Sequence, residues 1–300
     1  ILNAMKPLLF LFLTGILCAC TLSEQADMEI NPKPTLVVEY RYTDTSGNNT
    51  THEEIGHTVS LLFDPAGMFL REITAFGERF TDSITLLSGV PAGEYTVVTF
   101  ANADGMERPA LTPGVSRMTE PLCKRKDTGT NRTAERLFHA LARFTVRRGR
   151  PQVRRIELCK KYFRIELSVT GADKLSGSAD DFRVLFDGIP AGIDYRGEPL
   201  QETMRFTPLL EKDETGTMKG TFDVFCFGRQ NEVRITLRSK EETIGEISLS
   251  DYLARYGERI DYHCGKEVVI PIRIDVTSSE ITVTVSDWDE AKMEIPVIGK

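Results

Sequence analysis

Cys20 is the residue best placed for covalent chemistry. It closes the stretch Met5–Cys20, MKPLLFLFLTGILCAC, in which one basic residue, Lys6, precedes an apolar run from Leu8 to Leu17. That run is shorter than the ~20 apolar residues needed to span a bilayer. Its order of charge, apolar run and small residues is that of a secretory signal. The ending Leu17-Cys18-Ala19-Cys20 resembles a bacterial lipobox, where a small residue precedes a cysteine that is cleaved and acylated. On this reading residues 1–19 are a signal peptide, with Ile1 to Ala4 upstream of the true start at Met5. Cys20 becomes the mature N-terminus and carries a thioether-linked diacylglycerol and an N-acyl chain, more than the two signals that stable anchoring requires. The alternative is an ordinary secretory signal cut near Ala19 or Cys20.

Other residues with chemical potential fall short of a reactive arrangement. His52-Glu53-Glu54-Ile55-Gly56-His57 looks like a zincin helix, but two histidines reach one metal from a helix only at i and i+4, and here the spacing is i and i+5 with Gly56 weakening any helix. His139 and His263 stand alone. Cys123, Cys159, Cys226 and Cys264 show no Cys-x-x-Cys spacing, so a zinc site is not expected. An exported chain meets oxidising conditions, which allows disulfides; Cys123–Cys159 and Cys226–Cys264 would each stay within one domain, and four buried free thiols are the alternative. Gly-x-Ser-x-Gly and phosphate-cradling glycine loops are lacking. The carboxylates sit in strand-like stretches and form no evident acid–base pair. The sequence therefore points away from an enzyme and calls for no metal or cofactor.

Basic residues gather at Arg143, Arg147, Arg148, Arg150, Arg154 and Arg155. A hairpin around Arg148-Gly149-Arg150-Pro151 with wet strand faces accounts for them; contact with an anionic partner is the functional alternative. Asp44 to Asn49 lacks the closing glutamate of a calcium loop and reads as a polar hairpin tip. Asp82-Ser83-Ile84 matches a short O-glycosylation sequon. The net charge of −7 speaks against nucleic-acid binding, which needs a basic surface.

With 41 % hydrophobic and 27 % charged residues the chain is globular, and its length beyond the signal suits two domains. Thr21 to Pro34 is polar, acidic and proline-bearing, so residues 20–34 read as a flexible lipidated tether. Beyond it, period-two patterns and short apolar runs dominate. Val38, Tyr40 and Tyr42 alternate with charged residues; Val59 to Phe63 ends in the turn Asp64-Pro65-Ala66-Gly67. Met68 to Ile73, Ser83 to Leu87, Tyr95 to Phe100, Phe163 to Val169, Phe182 to Phe186, Thr221 to Phe225, Val233 to Leu237, Val268 to Val276 and Ile281 to Val285 continue the series. Many short strands with turns between them indicate β-sandwiches. Leu249 to Tyr256 reads as a helix capped by Ser250 or Asp251, and Thr133 to Leu141 has partial helical spacing. Gly89-Val90-Pro91-Ala92-Gly93 recurs as Gly188-Ile189-Pro190-Ala191-Gly192, an echo expected of two like-built halves. The boundary is expected near Cys159, giving domains at 35–158 and 159–300.

Several phrases converge in order: Leu36-Val37-Val38-Glu39-Tyr40 behind the lipobox, Val59 to Phe69, Val90 to Asn102, Leu137-Phe138-His139, Val153 to Leu158, and Ile281 to Trp288 at the end. This order resembles the fimbrillin-associated anchor lipoproteins of Bacteroidales-type fimbriae, over nearly the whole mature chain. The resemblance implies an all-β fold of two tandem transthyretin-like (Greek-key) β-sandwiches with one or two short helices. It also implies an outer-membrane, surface-facing lipoprotein that anchors a fimbrial fibre, with fimbrial subunits and membrane lipid as partners. A surface lipoprotein that binds glycan or host protein through sandwich loops is the alternative. Fibre subunits of this kind are said to lose an N-terminal strand to an arginine-directed protease and to accept a neighbour's strand in its place. Here Arg41 is the first arginine after Cys20 and lies in a predicted strand, while Lys33 precedes Pro34. The tether is thus expected to stay uncut. The C-terminal segment, where Met293, Ile295 and Val297 alternate, is the candidate donor strand; completing its own sheet is the other reading.

Overall fold

In the computed structural model, residues 35–76, 84–88, 90–126, 136–147, 152–172, 181–228, 230–256, 267–276, 281–284 and 293–295 are described. The first half runs β1 (Thr35–Arg41), α1 (Thr51–Glu54), β2 (His57–Phe63), β3 (Phe69–Phe76), β4 (Ile84–Ser88), β5 (Gly93–Ala101), β6 (Met106–Glu107), β7 (Leu122–Arg125), β8 (Phe138–Val146), β9 (Gln152–Glu157) and β10 (Cys159–Lys160). The second runs β11 (Tyr162–Thr170), β12 (Phe182–Pro190), β13 (Gly192–Asp194), β14 (Thr203–Phe206), β15 (Glu211–Lys212), β16 (Met218–Phe225), β17 (Arg234–Ser239), β18 (Glu242–Ser248), α2 (Leu249–Tyr256), β19 (Val269–Val276), β20 (Ile281–Thr284) and β21 (Met293–Ile295). No helix among the described residues is long and apolar enough to cross a membrane.

The two halves share one topology. In the first, β1 lies between antiparallel β4 and parallel β9, facing a sheet ordered β10-β8-β5-β2-β3. In the second, β11 lies between antiparallel β16 and parallel β19, facing a sheet ordered β14-β12-β17-β18. Strand for strand, β8-β5-β2-β3 matches β18-β17-β12-β14. The Pro-Ala-Gly echo is not the mark of this repeat: Val90 to Gly93 leads from β4 into β5, whereas Gly188 to Gly192 joins β12 to β13. The crossover falls at Lys161, since β10 still pairs with β8 of the first half.

Each core follows from strand periodicity. Leu36, Val38 and Tyr40 of β1 point inward with Leu62, Val97, Phe138, Phe144 and Ile156. Phe163, Ile165, Leu167 and Val169 of β11 meet Phe186, Ile235, Leu237, Ile270 and Ile272 in the second core. Helix α2 lays Leu249, Tyr252 and Leu253 on that core. Its cap is Ser248, whose Oγ accepts the Asp251 N–H at 3.2 Å, rather than Ser250 or Asp251 as the local sequence suggests. The region from Phe138 is strand β8, not helix, because its inward side chains fill the first core.

Four turns repeat one local design. Asp44, Asp64, Asp194 and Asp213 each open an Asp-x-x-Gly tetrad whose glycine has φ between +77° and +84°. In each, one aspartate Oδ1 accepts two backbone N–H groups, from the residues two and four further on, at 2.8–3.0 Å. This is the three-residue hairpin in which a type I turn is followed by a left-handed glycine. The Asp44 loop is accordingly a hairpin tip, and its carboxylate is spent on the turn. The Lys219 ammonium, with Thr215, holds the Asp213 carboxyl far below the usual carboxylate range.

The basic segment departs from the expected hairpin. β8 and β9 belong to different sheets, and β9 crosses over to pair in parallel with β1, because Ile156 and Leu158 must reach the core beneath it. Arg147, Arg154 and Arg155 remain on wet faces as expected, Arg155 lying 3.7 Å from Glu39. Arg148 and Arg150 lie outside the described residues.

The Tyr40 hydroxyl crosses the first core and is hydrogen-bonded to Ser60 Oγ at 2.6 Å and Thr99 Oγ1 at 2.9 Å. It pins β1 to β2 and β5 of the facing sheet. Tyr40→Phe leaves Ser60 and Thr99 to bond each other and should cost about 1 kcal/mol. Tyr40→Ala should cost about 3–5 kcal/mol. Urea midpoints of the two variants check this order.

Candidate functional site

Two features are built most firmly into this fold. The first is strand β1, at the centre of its sheet. Leu36 and Val38 are 0 % exposed, and β1 is hydrogen-bonded on both sides. Burying those two side chains stabilises by about 3–6 kcal/mol, a large share of a domain's net stability of about 5–15 kcal/mol. Arg41 lies inside the ladder opposite Glu157, and its carbonyl accepts the Leu158 N–H at 2.7 Å.

The second element is the joint between the sandwiches. Strands β2 and β5 are buried on both faces; the face turned away from β1 packs against residues of both halves. Val59, Leu61, Val98 and Phe100 meet Cys123, Ile193, Tyr195 and Phe225 there. Strand β7 of the first half pairs with β13 of the second, Cys123 opposite Ile193 and Lys124 opposite Gly192. A Cβ at Gly192 would lie 2.1 Å from the Cys123 carbonyl oxygen, so only glycine permits this approach.

Polar groups lock the same joint. The Lys161 N–H donates to the Leu137 carbonyl at 2.9 Å, and its own carbonyl accepts the Cys226 N–H at 3.1 Å. The crossover residue is thus tied to both halves. Asp223, nearly buried, holds Arg136 from the first half and Arg164 of β11, each at 3.2 Å. His139 Nε2 donates to the Tyr195 carbonyl at 3.0 Å, which fixes the tautomer with Nδ1 bare. Burial, aided by the Lys161 ammonium, pushes this imidazole down to about 4.

The residues singled out by sequence are distributed as follows. Cys20 and Cys264 lie outside the described residues, as does Val297. Cys123 and Cys226 are free thiols, so Cys123–Cys159 and Cys226–Cys264 do not form. Cys123 is instead wholly buried in the joint opposite Ile193, and Cys159 is disulfide-bonded to a partner outside the described residues. Burial pushes both free thiols up to about 12, which keeps them protonated and unreactive near neutral pH. Met293 and Ile295 lie in β21, which among the described residues is one of the two edge strands of the second half's larger sheet and pairs with β20. His57 is no metal ligand: Nδ1 lies 2.8 Å from Asp104, and Nε2 accepts the Ala103 N–H. Among the described residues no cluster of ligating side chains could hold a metal.

A tandem pair of sandwiches with one shared topology and a strand-paired joint spans the length over which family likeness can be judged. The family described as fimbrillin-A associated anchor proteins Mfa1 and Mfa2 matches residues 30–294. This chain belongs to that family. Solved structures agree in fold. The fimbrial anchor protein Mfa2 of Porphyromonas gingivalis superposes with a TM-score of 0.69 at 14 % identity, covering 88 % of this chain and 99 % of that one. A candidate polysaccharide-binding protein of Bacteroides thetaiotaomicron gives 0.70 at 19 % identity, covering 88 % and 98 %. A candidate adhesin of Bacteroides ovatus gives 0.71 at 14 % identity, covering 89 % and 96 %. Among curated proteins none matches.

Sequence reading of this anchor-family protein reached β1 but not the joint. Gly192 and Cys123 carry no local signal of their pairing, because the contact joins segments far apart in the chain. The one available hint is that Ile193 follows a glycine in a stretch with no periodicity of its own.

Three outcomes test the joint. Gly192→Ala must push strand from strand and should cost about 3 kcal/mol or more, read as a lowered denaturation midpoint. Neutral His139 contributes fully above pH 6.5, the unfolded imidazole value, and its contribution falls as pH drops toward 4, where only the unfolded chain takes up the proton. The loss reaches on the order of 3 kcal/mol; it should appear as a wild-type decline between pH 7 and 4.5 that is reduced in His139→Gln. Non-reducing peptide mapping should find Cys159 in a disulfide, while Cys123 and Cys226 take up iodoacetamide only after unfolding.

Proposed function

We propose that this protein is the lipid-tethered anchor of a fimbrial fibre on the outer membrane, a structural rather than catalytic subunit. Cys20 carries the acyl chains, residues 20–34 are the tether, and β1 continues the tether into the middle of a hydrogen-bonded sheet. The observation that carries this reading is the position of β1. A pull on the tether acts along a strand bonded on both sides, so it loads a whole ladder at once instead of peeling a free edge. The first arginine behind the tether, Arg41, sits within that ladder, where a protease must unfold the strand before it can cut. Family membership supports the fibre role.

The far attachment is strand addition to a neighbouring subunit. The candidate donor is the C-terminal segment, including Met293, Ile295 and Val297. An outermost strand such as β21 leaves its sheet at the lowest cost, since one ladder alone has to break. The shared joint supports the role in a second way. Force entering at β1 reaches the second sandwich through a buried, strand-paired contact, not through a loose linker.

Metabolic labelling with palmitate should mark the wild-type protein and not Cys20→Ala, and cells with that variant should shed fibres into the medium. An unlabelled wild-type protein would remove the lipid anchor. Digestion of the native protein with an arginine-specific protease should leave the Arg41–Tyr42 bond intact. Deleting residues 294–300 should release fibres from labelled, surface-retained protein; fibres that stay attached would exclude the tail as donor.

A further inference from the structure

One polar pocket stands apart from both attachment points. It has a volume of about 400 Å³ and lies on the first sandwich, where the ends of β5 and β8 meet the Asp64 to Gly67 turn. That volume falls within the range of small-ligand sites, about 300–1,000 Å³. Its floor is two cross-strand pairs, Glu94 opposite Thr145 and Thr96 opposite Arg143. Met118 and Pro65 supply apolar walls.

The polar groups here are left unspent. Among the described residues, the side chains of Glu94, Thr96, Arg143 and Thr145 make no hydrogen bond or ion pair. Glu94 and Arg143 sit diagonally across adjacent strands, within reach of long side chains, yet they stand apart around the opening. Thr96 is 9 % exposed, and its hydroxyl, unpaired within the protein, reaches solvent in the pocket and is available to a group that enters. At the rim, Asp64 uses Oδ1 for its turn.

The geometry points to a saccharide site, one that accommodates a neutral sugar ring. A ligand anion meets the carboxylates of Glu94 and Asp64, and a ligand cation meets the Arg143 guanidinium; a neutral polyol suits both signs. Vicinal hydroxyls can donate to the Glu94 carboxylate while accepting from Arg143, and Thr96 and Thr145 can do either. The C–H face of a pyranose fits the Met118 and Pro65 wall. A peptide in extended form would instead require a long groove or a free strand edge along its whole length. The site is independent of the anchor role: it lies on outward side chains of β5 and β8, and neither β1 nor β21 contributes to it.

The test is saturation-transfer NMR on the full-length protein in a sugar-free detergent. The probes are maltose, cellobiose, lactose and N,N′-diacetylchitobiose, with sialyllactose as an acidic probe and trialanine as a peptide probe. At least one neutral disaccharide should receive saturation, and Glu94→Gln with Arg143→Ala should weaken its binding at least tenfold. Thr96→Val should weaken it as well. Thermal midpoints should stay at the wild-type value in the Glu94 and Arg143 variants, since those side chains are exposed and unpaired. Transfer to none of the four neutral sugars, transfer that survives the double substitution, or a response confined to sialyllactose or trialanine would each overturn the proposal.

Discussion

The whole molecule depends on one close approach of backbone to backbone, β7 of the first sandwich against β13 of the second. A side chain at Gly192 would collide with the Cys123 carbonyl, so the approach exists only because that position has none. From it follow the burial of Ile193 and Phe225 against the outer face of the first domain, and the enclosure of β2 and β5 on both faces. The two sandwiches therefore share a core rather than merely touching. Domain interfaces within a chain are usually polar and permit relative motion; this one is apolar at its centre and strand-paired, with Asp223 and His139 satisfied at its margin.

That construction suits a mechanical task. Strand β1 lies at the centre of one sheet, and β21 lies at the rim of another. Central strands resist extraction because two ladders hold them; rim strands exchange because one does. The asymmetry appears although the two domains repeat the same topology, since the second sheet alone is extended by β20 and β21 beyond the parallel strand. Repetition supplies the scaffold, and the added strands β20 and β21 distinguish the second half from the first.

Much of this was legible in the chain because the signals are local. Alternation over Val38 to Tyr42 and over Val268 to Val276 marks strands with one buried face. The Val59 to Phe63 run, apolar without alternation, marks a strand covered on both sides. The Asp-x-x-Gly turns can be read from four residues each. What stayed hidden is partner choice. The arginines around Gly149 look like a hairpin tip, yet β8 and β9 part company because Ile156 belongs beneath β1. The same holds for the cysteines, whose spacing says nothing of the joint that buries Cys123 away from Cys159. Glu94 and Thr96 put polar side chains at alternate positions of β5, but only the fold brings Arg143 and Thr145 beside them.

The parallel pairing of β1 with β9 sets the order in which the chain can mature. A ribosome or a translocon delivers β1 first, but its parallel neighbour ends at Glu157. Until that point has emerged, an apolar strand waits with one side unsatisfied, and the delay repeats when β11 waits for β19. Contacts so distant in sequence make for slow folding and sticky intermediates. Such a protein is at greatest risk before its distant strands have met.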